Sequence, residues 1–287
     1  MISDFHLLAL QLGSEEEMWD RAVASLEQVA AGETAFLPEY VAWTASGSGR
    51  AFARLVALAQ ARDINIVTTL NVAPDLHEDL PGRDPELRYN ALVIFTRHGV
   101  VHVPQAKVSP QAFEMEDGIG VAPYQRINRV RLDWQEDLIE ARFIICSDLM
   151  AFVELSPVAL RCDLLVVLGN FAYGAEKVAS RLLGRALQAG VARSAFLVNA
   201  YQVPREDGQR PLALKVEEVL DATEAVEAGD AWPNPRVIRS GFHVYADDEA
   251  HDFVSVCQLP RRGRIAIPRS RWRPGTIAGE YPITVSL

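Results

Sequence analysis

Little in this sequence suits a disulfide framework, a metal centre or a membrane span. Only three cysteines occur in 287 residues, Cys146, Cys162 and Cys257. An odd, sparse set so far apart does not make a disulfide scaffold, and thiols left free fit a reducing compartment. None of the six histidines (His6, His77, His98, His102, His243, His251) stands at metal-ligand spacing with a further candidate ligand, so no metal is expected. No apolar run approaches the length that crosses a bilayer. The start, MISDFHLLALQLGSEEE, lacks the basic region and cleavage site of a secretory leader. These absences together lead to the expectation of a cytoplasmic protein.

Positive charge is also in short supply. With 38 acidic against 28 basic residues the formal charge is −10. Such a chain repels phosphate backbones at a distance, so nucleic acid is not expected as a partner. A basic strip does occur near the end, at Arg261, Arg262, Arg264, Arg269, Arg271 and Arg273. It reads as a solvated or subunit-facing surface. There is no internal repeat and no low-complexity linker. Half the residues are apolar, enough for one large core.

The apolar residues fall into short runs separated by helical periodicity. The run from His6 to Leu12 reads as a buried strand. Ser14 and Glu17 form a capping box, and Trp19, Ala22, Val23, Leu26, Val29 and Ala30 follow at helical spacing up to Gly32. TAFLPEY is a second strand. A helix is expected over about Gly49 to Arg62, then the strand INIVTTL and a polar loop from Pro74 to Arg88. YNALVIF and VVHVPQ read as a hairpin about Arg97, His98 and Gly99. After a further loop, FIIC runs into a helix. DLLVVL, a helix over Ala175 to Ala192 and AFLVNA complete the alternation, and VIRSGFHVYA and DFVSVCQLP read as closing strands. Strands alternating with helices indicate an α/β protein, and the hairpin makes its sheet mixed. We expect one domain over residues 1–287, with a polar excursion at about 204–236 and a C-terminal extension from about 260.

Four residues carry candidate chemistry. Cys146 ends a strand and begins a helix, where free backbone N–H groups favour a thiolate and hold a developing oxyanion. Taken alone it reads more readily as a buried structural cysteine, the usual place of a free thiol. Glu39 follows a strand and Pro38, and is either an exposed loop residue or a buried base with a raised pKa. Lys107 follows VVHVPQA, and Glu114 lies seven residues further on.

Together they have an order. FLPEY, then YNALVIF with KVSPQAFE, then FIICSD, then DLLVVLGN and a helix (with GRALQAG) leading to FLVNAYQ resemble the nitrilase-like carbon–nitrogen hydrolase superfamily. The resemblance runs from about His6 to Gln202. It implies a four-layer α-β-β-α sandwich and a Glu-Lys-Cys triad, with Cys146 as nucleophile, Glu39 as general base and Lys107 as stabiliser of the tetrahedral intermediate. Glu114 matches a second glutamate that positions substrate or assists proton transfer, with Glu116 as its neighbour and competitor. The backbone N–H of Ser147 is the implied second oxyanion donor. No cofactor is implied.

The implied reaction is hydrolysis of a non-peptide C–N bond in a small-molecule amide or N-carbamoyl compound, with a nitrile as a lesser candidate. Acyl transfer to an amine through the same thioester and a non-catalytic partner-binding scaffold stand as alternatives. Departures fall where a pocket would be built: PQAK stands at the lysine where members often carry a Tyr-Arg-Lys type run, and MAFVE follows the cysteine where many amidases of the superfamily have Arg-Phe-Pro-Glu. The resemblance also implies a homodimer or larger assembly, with the Arg-rich stretch from Pro260 to Pro274 as the candidate contact. Light scattering at micromolar concentration is expected to give a mass at least twice the 31.7 kDa of the chain.

Overall fold

The computed structural model describes residues 5–10, 13–76, 80, 84–108, 110–120, 127–134, 137–149, 161–171, 183, 191–200, 253–257 and 278–287. The expected strand at 237–246, the polar excursion, the Arg-rich stretch and the helix expected at 175–192 lie outside them, apart from Leu183, Val191 and Ala192; the last of these is already strand, so the helix stops short of its expected end.

The first half of the chain builds one sheet and its helical cover. Strand β1 (Phe5–Ala9) leads to α1 (Glu15–Leu26). Ser14 caps this helix as its sequence requires: Glu17 N–H donates to Ser14 Oγ, and Ser14 N–H donates back to Glu17 Oε2 at 2.8 Å. Strand β2 (Thr34–Phe36) precedes α2 (Ala45–Arg62), which begins four residues earlier than its apolar spacing suggests because Thr44 supplies the N-cap to Gly47 N–H. Then come β3 (Asn65–Val72), β4 (Tyr89–Phe95) and β5 (Val101–Ala106). The β4–β5 turn is the expected hairpin, and Gly99 takes a positive φ of 81° within it. Strand β10 (Phe253–Cys257) adds antiparallel to β1, giving the order β10-β1-β2-β3-β4-β5.

The second sheet corrects one expectation. The stretch before FIIC, expected to be a loop, carries β6 (Ile127–Trp134) and most of β7 (Asp137–Ile145), paired antiparallel. Arg129, Arg131 and Glu140 interrupt the apolar pattern because they stand on solvated positions, which hid the hairpin. Strands β8 (Cys162–Gly169) and β9 (Ala192–Asn199) join in parallel, and β11 (Ala278–Ser286), in the stretch read as an extension, pairs parallel with β6. The order is β11-β6-β7-β8-β9.

Period-two alternation sorts the strand residues into layers. Ala35, Ile66, Ala91, Val93 and Phe95 face α1 and α2, where they pack with Met18, Ala22, Leu26, Leu55 and Ala59. Their neighbours Phe36, Val67, Leu92 and Ile94 face the other way, onto Val130, Leu132, Ala141, Phe143, Leu164, Val166 and Phe196 of the second sheet. Ile144, Leu165 and Val167 point outward from that sheet and are buried as well. The two sheets therefore meet through an apolar interface with helices on the outside of the first, as in the expected sandwich.

One edge of this interface is polar. Strand β5 ends the first sheet, and its side chains and carbonyls reach the second. Gln105 Nε2 donates to the Phe143 carbonyl at 3.0 Å, Asn128 N–H donates to Gln105 Oε1 at 2.7 Å, and Asn128 Nδ2 donates to the Pro104 carbonyl at 2.7 Å. An edge strand otherwise presents unpaired backbone groups. Here those bonds tie it to β6 and β7.

The inter-sheet layer holds the sandwich shut. Replacing Leu92, fully buried within it, by alanine is expected to lower the unfolding free energy by about 2–5 kcal/mol, measured by urea denaturation.

Candidate active site

Sheet one supplies most of the chemistry. Leu37 N–H still bonds the Val67 carbonyl at 2.9 Å beyond the end of β2, and Pro38 keeps the residue before it extended. Glu39 and Tyr40 then turn inward, with Tyr40 at φ 64°. Such a left-handed conformation is costly for a bulky residue and is sustained only by its surroundings. Lys107 follows β5, its N–H bonded to the Asn90 carbonyl of β4 at 2.7 Å. Glu114 lies in the short helix α3 (Ala112–Glu116). Its expected competitor, Glu116, is exposed on the same turn.

These side chains converge. Lys107 Nζ donates to Glu39 Oε1 at 2.7 Å and to Glu114 Oε2 at 2.8 Å, with all three residues about 1 % exposed. Burying three charged groups is expensive unless each is paired and hydrogen-bonded. The cluster meets that demand unevenly. Glu114 accepts from Lys107 Nζ and the Gln111 N–H (2.6 Å) on one oxygen, and from the Tyr40 hydroxyl and Asn90 Nδ2 (3.0 Å) on the other. A carboxylate has about four acceptor sites, so its capacity is filled. Glu39 accepts on Oε1 from Lys107 and from Asn90 Nδ2 at 2.8 Å, while its buried Oε2 has no fully formed hydrogen bond. The Cys146 thiol is the group that approaches this carboxylate, as a loose hydrogen-bond neighbour.

Cys146 comes from the other sheet. It follows β7 directly, its N–H bonded to the Leu168 carbonyl of β8 at 2.9 Å, and its φ of 43° swings the side chain off the strand line. Leu149 N–H closes a turn onto the Cys146 carbonyl at 3.0 Å. The Asn170 N–H, just past β8, is turned toward the sulfur. Asp148, two residues on, is fully buried, and both its oxygens accept from Val108 N–H at 3.0 Å.

The electrostatics separate the two carboxylates. Burial pushes the Glu39 carboxyl above the usual carboxylate range, against the pull of Lys107, and the nearby Glu114 charge adds to the rise. Burial acts on Glu114 too, but Lys107, Tyr40 and the Gln111 amide together outweigh it and hold that carboxyl low. Burial would discharge Lys107, yet Glu39 and Glu114 keep its ammonium charged above the ordinary lysine range. Burial and the Glu39 carboxylate push the Cys146 thiol well up, so its resting form is the neutral thiol. Cys162 is raised to about 12 by burial within its strand, against the pull of the neighbouring Arg142.

The structure thus brings Glu39, Lys107, Glu114 and Cys146 to one place at the junction of the two sheets. Sequence reading passed over Asn90, Tyr40 and Asn170. Asn90 carried a signal: it is the one amide in the otherwise apolar run YNALVIF, and a strand buried on both faces does not take an amide without partners. Among the described residues no group of acidic, histidine or cysteine side chains is arranged to hold a metal. His102 instead bonds Tyr281 across the sheets at 3.3 Å.

No protein-family model matches the chain, and no curated protein sequence matches it. Solved structures do. A CN-hydrolase superfamily protein from Xanthomonas campestris, with an arsenic adduct in its active site, superposes with a TM-score of 0.52 at 14 % identity, covering 82 % of this chain and 99 % of that one. A variant of the amidase from Nesterenkonia sp. AN1 in complex with acrylamide gives a TM-score of 0.56 at 16 % identity over 91 % of each chain. Another variant of that amidase, carrying the acetamide moiety of fluoroacetamide on its active-site cysteine, gives 0.54 at 17 % identity, covering 90 % of each chain. The fold is that of the nitrilase superfamily.

Removing the cation should expose the balance of the cluster. Lys107→Met leaves two buried carboxylates without a counter-charge, and is expected to cost about 3–5 kcal/mol near neutral pH. Glu114, held low in the native protein, contributes stability that is present above its unfolded pKa and lost as pH falls. In the variant the carboxyls are raised, so acid favours the folded form. The difference between the two proteins should therefore shrink from pH 7 to pH 5 in urea titrations.

Proposed function

We propose that the protein is a carbon–nitrogen hydrolase that cleaves a small-molecule amide or N-carbamoyl group through an acyl-enzyme on Cys146. One observation carries this reading: a buried thiol neighbours the Glu39 carboxylate, which keeps one oxygen, Oε2, without a formed hydrogen bond, while a charged lysine holds the other oxygen of the same carboxylate. The likeness of fold to amidases that react at a cysteine supports it.

The neutral thiol needs a base in contact, and a carboxyl whose pKa burial has raised is the better match to it. Sulfur attacks the amide carbon, a C–S bond forms, and the thiol proton passes to Glu39. The carbonyl oxygen gains the negative charge and is held by the Lys107 ammonium and by the Ser147 N–H at the start of the turn. The C–N bond then breaks as Glu39 returns the proton to nitrogen, and ammonia or the amine leaves. Water attacks the thioester, giving its proton to Glu39. When the C–S bond breaks, sulfur recovers that proton and the acid is released. Glu39 moves every proton in this cycle. Glu114, with its acceptor sites filled, serves by fixing Lys107 and takes no part in proton transfer.

Incubating the protein with a panel of short amides and N-carbamoyl amino acids should release ammonia. Cys146→Ala should abolish release, a loss of at least about 10³-fold, with an unchanged melting curve. Glu39→Gln should accumulate an acyl adduct on Cys146, visible as an intact-mass increase. Undiminished release by the folded Cys146→Ala protein would sink the mechanism.

A further inference from the structure

The reacting groups are divided between two sheets. Glu39, Lys107 and Glu114 belong to the first, and Cys146 to the second. Apolar packing between sheets is non-directional and does not by itself set a separation to a fraction of an ångström. Two cross-sheet contacts do. Two residues before Lys107, Gln105 Nε2 donates to the carbonyl of Phe143, three residues before Cys146. One residue after Lys107, Val108 N–H donates to the carboxylate of Asp148, two residues after Cys146. The lysine and the nucleophile are bracketed on both sides by hydrogen bonds that run directly from one segment to the other. Gln105 is held in turn by Asn128 N–H at 2.7 Å, and both Gln105 and Asp148 are fully buried. Buried bonds of this kind are stiff, because breaking one strands a polar group without water.

We propose that Gln105 and Asp148 form a two-point clasp across the sheet interface that sets the distance between Lys107 and Cys146, which makes both of them positioning residues for the C–N cleavage described above. The inference rests on that reading of the site, but neither residue touches the reacting atoms. The clasp keeps the lysine ammonium beside the sulfur and the oxyanion it generates. It also explains a buried aspartate in the nucleophile turn that the chemistry itself leaves unused.

The test is the rate at which iodoacetamide alkylates Cys146 at pH 8, read by peptide mass spectrometry on full-length protein whose cooperative melting has been verified. Asp148→Ala should slow alkylation by roughly tenfold, because the sulfur loses the ammonium that favours its thiolate. Asp148→Asn, which retains an acceptor for Val108 N–H, should restore the rate to within about threefold. Gln105→Met should slow it in the same direction. A merely structural role gives the opposite sign, since loosening the turn exposes a buried thiol and speeds alkylation. On acetamide or whichever amide of the panel releases ammonia, Asp148→Ala should lower kcat by about 10²-fold with KM changed less than about threefold, as a small misplacement of reacting groups does. Unchanged or faster alkylation in folded Asp148→Ala overturns the clasp; should that variant not fold, an unchanged or faster rate in Gln105→Met does so. Failure of the wild-type protein to release ammonia from any amide overturns the proposed function instead, and the alkylation rates still judge the clasp.

Discussion

The buried Lys107 ammonium between Glu39 and Glu114 is the constraint around which the site is arranged. Three ionisable groups in an apolar interior are stable only if their charges and hydrogen bonds close on one another. That requirement accounts for what surrounds them: Asn90 in the middle of an apolar strand, the Tyr40 hydroxyl turned onto Glu114, and the Gln111 N–H at the head of a five-residue helix. It also accounts for strain. Tyr40 takes a left-handed backbone next to Glu39, and Cys146 takes another at the end of its strand. Both conformations are unfavourable on their own and persist where neighbouring contacts over-determine them.

The cluster distributes its bonds so that two carboxylates of the same type become different. Glu114 is saturated, and its acidity is lowered by the groups that saturate it. Glu39 shares one oxygen with the lysine and the Asn90 amide and keeps the other clear, so burial dominates and its pKa rises. Chemically alike groups acquire separate roles from environment alone. A thiol brought beside this carboxylate completes an arrangement able to move a proton, and it comes from the opposite sheet. The polar seam at β5 is what makes that approach reproducible in an interface that is otherwise apolar.

Much of the fold was legible because the apolar periodicity was clean. YNALVIF is β4 residue for residue, and the Ser14–Glu17 capping box starts α1 where its spacing says. The β6–β7 hairpin was not legible: Arg129, Arg131, Arg142 and Glu140 punctuate it, and a strand with charged residues on its solvated positions or paired inside looks like a loop. The C-terminal β11 escaped for a related reason, since Glu280, Pro282 and Thr284 alternate with its buried residues Tyr281 and Val285. Glu39, Lys107, Glu114 and Cys146 stood out as a set through their order and their places after strands. Asn90, Asn170 and Asp148 did not, because an isolated amide or carboxylate has no sequence pattern that reveals its partner.

By itself the sequence determined the alternation of strands and helices, the strand ends at which polar groups follow apolar runs, and the inventory of groups able to do chemistry. These are local properties, carried by periodicity and by residue type over a few neighbours. Only the tertiary structure decided which glutamate is saturated and which is open, that the thiol and the lysine face each other from different sheets, and which hydrogen bonds hold them there. Those are outcomes of desolvation and of contacts between residues as far apart as Glu39 and Cys146, and no local pattern encodes them.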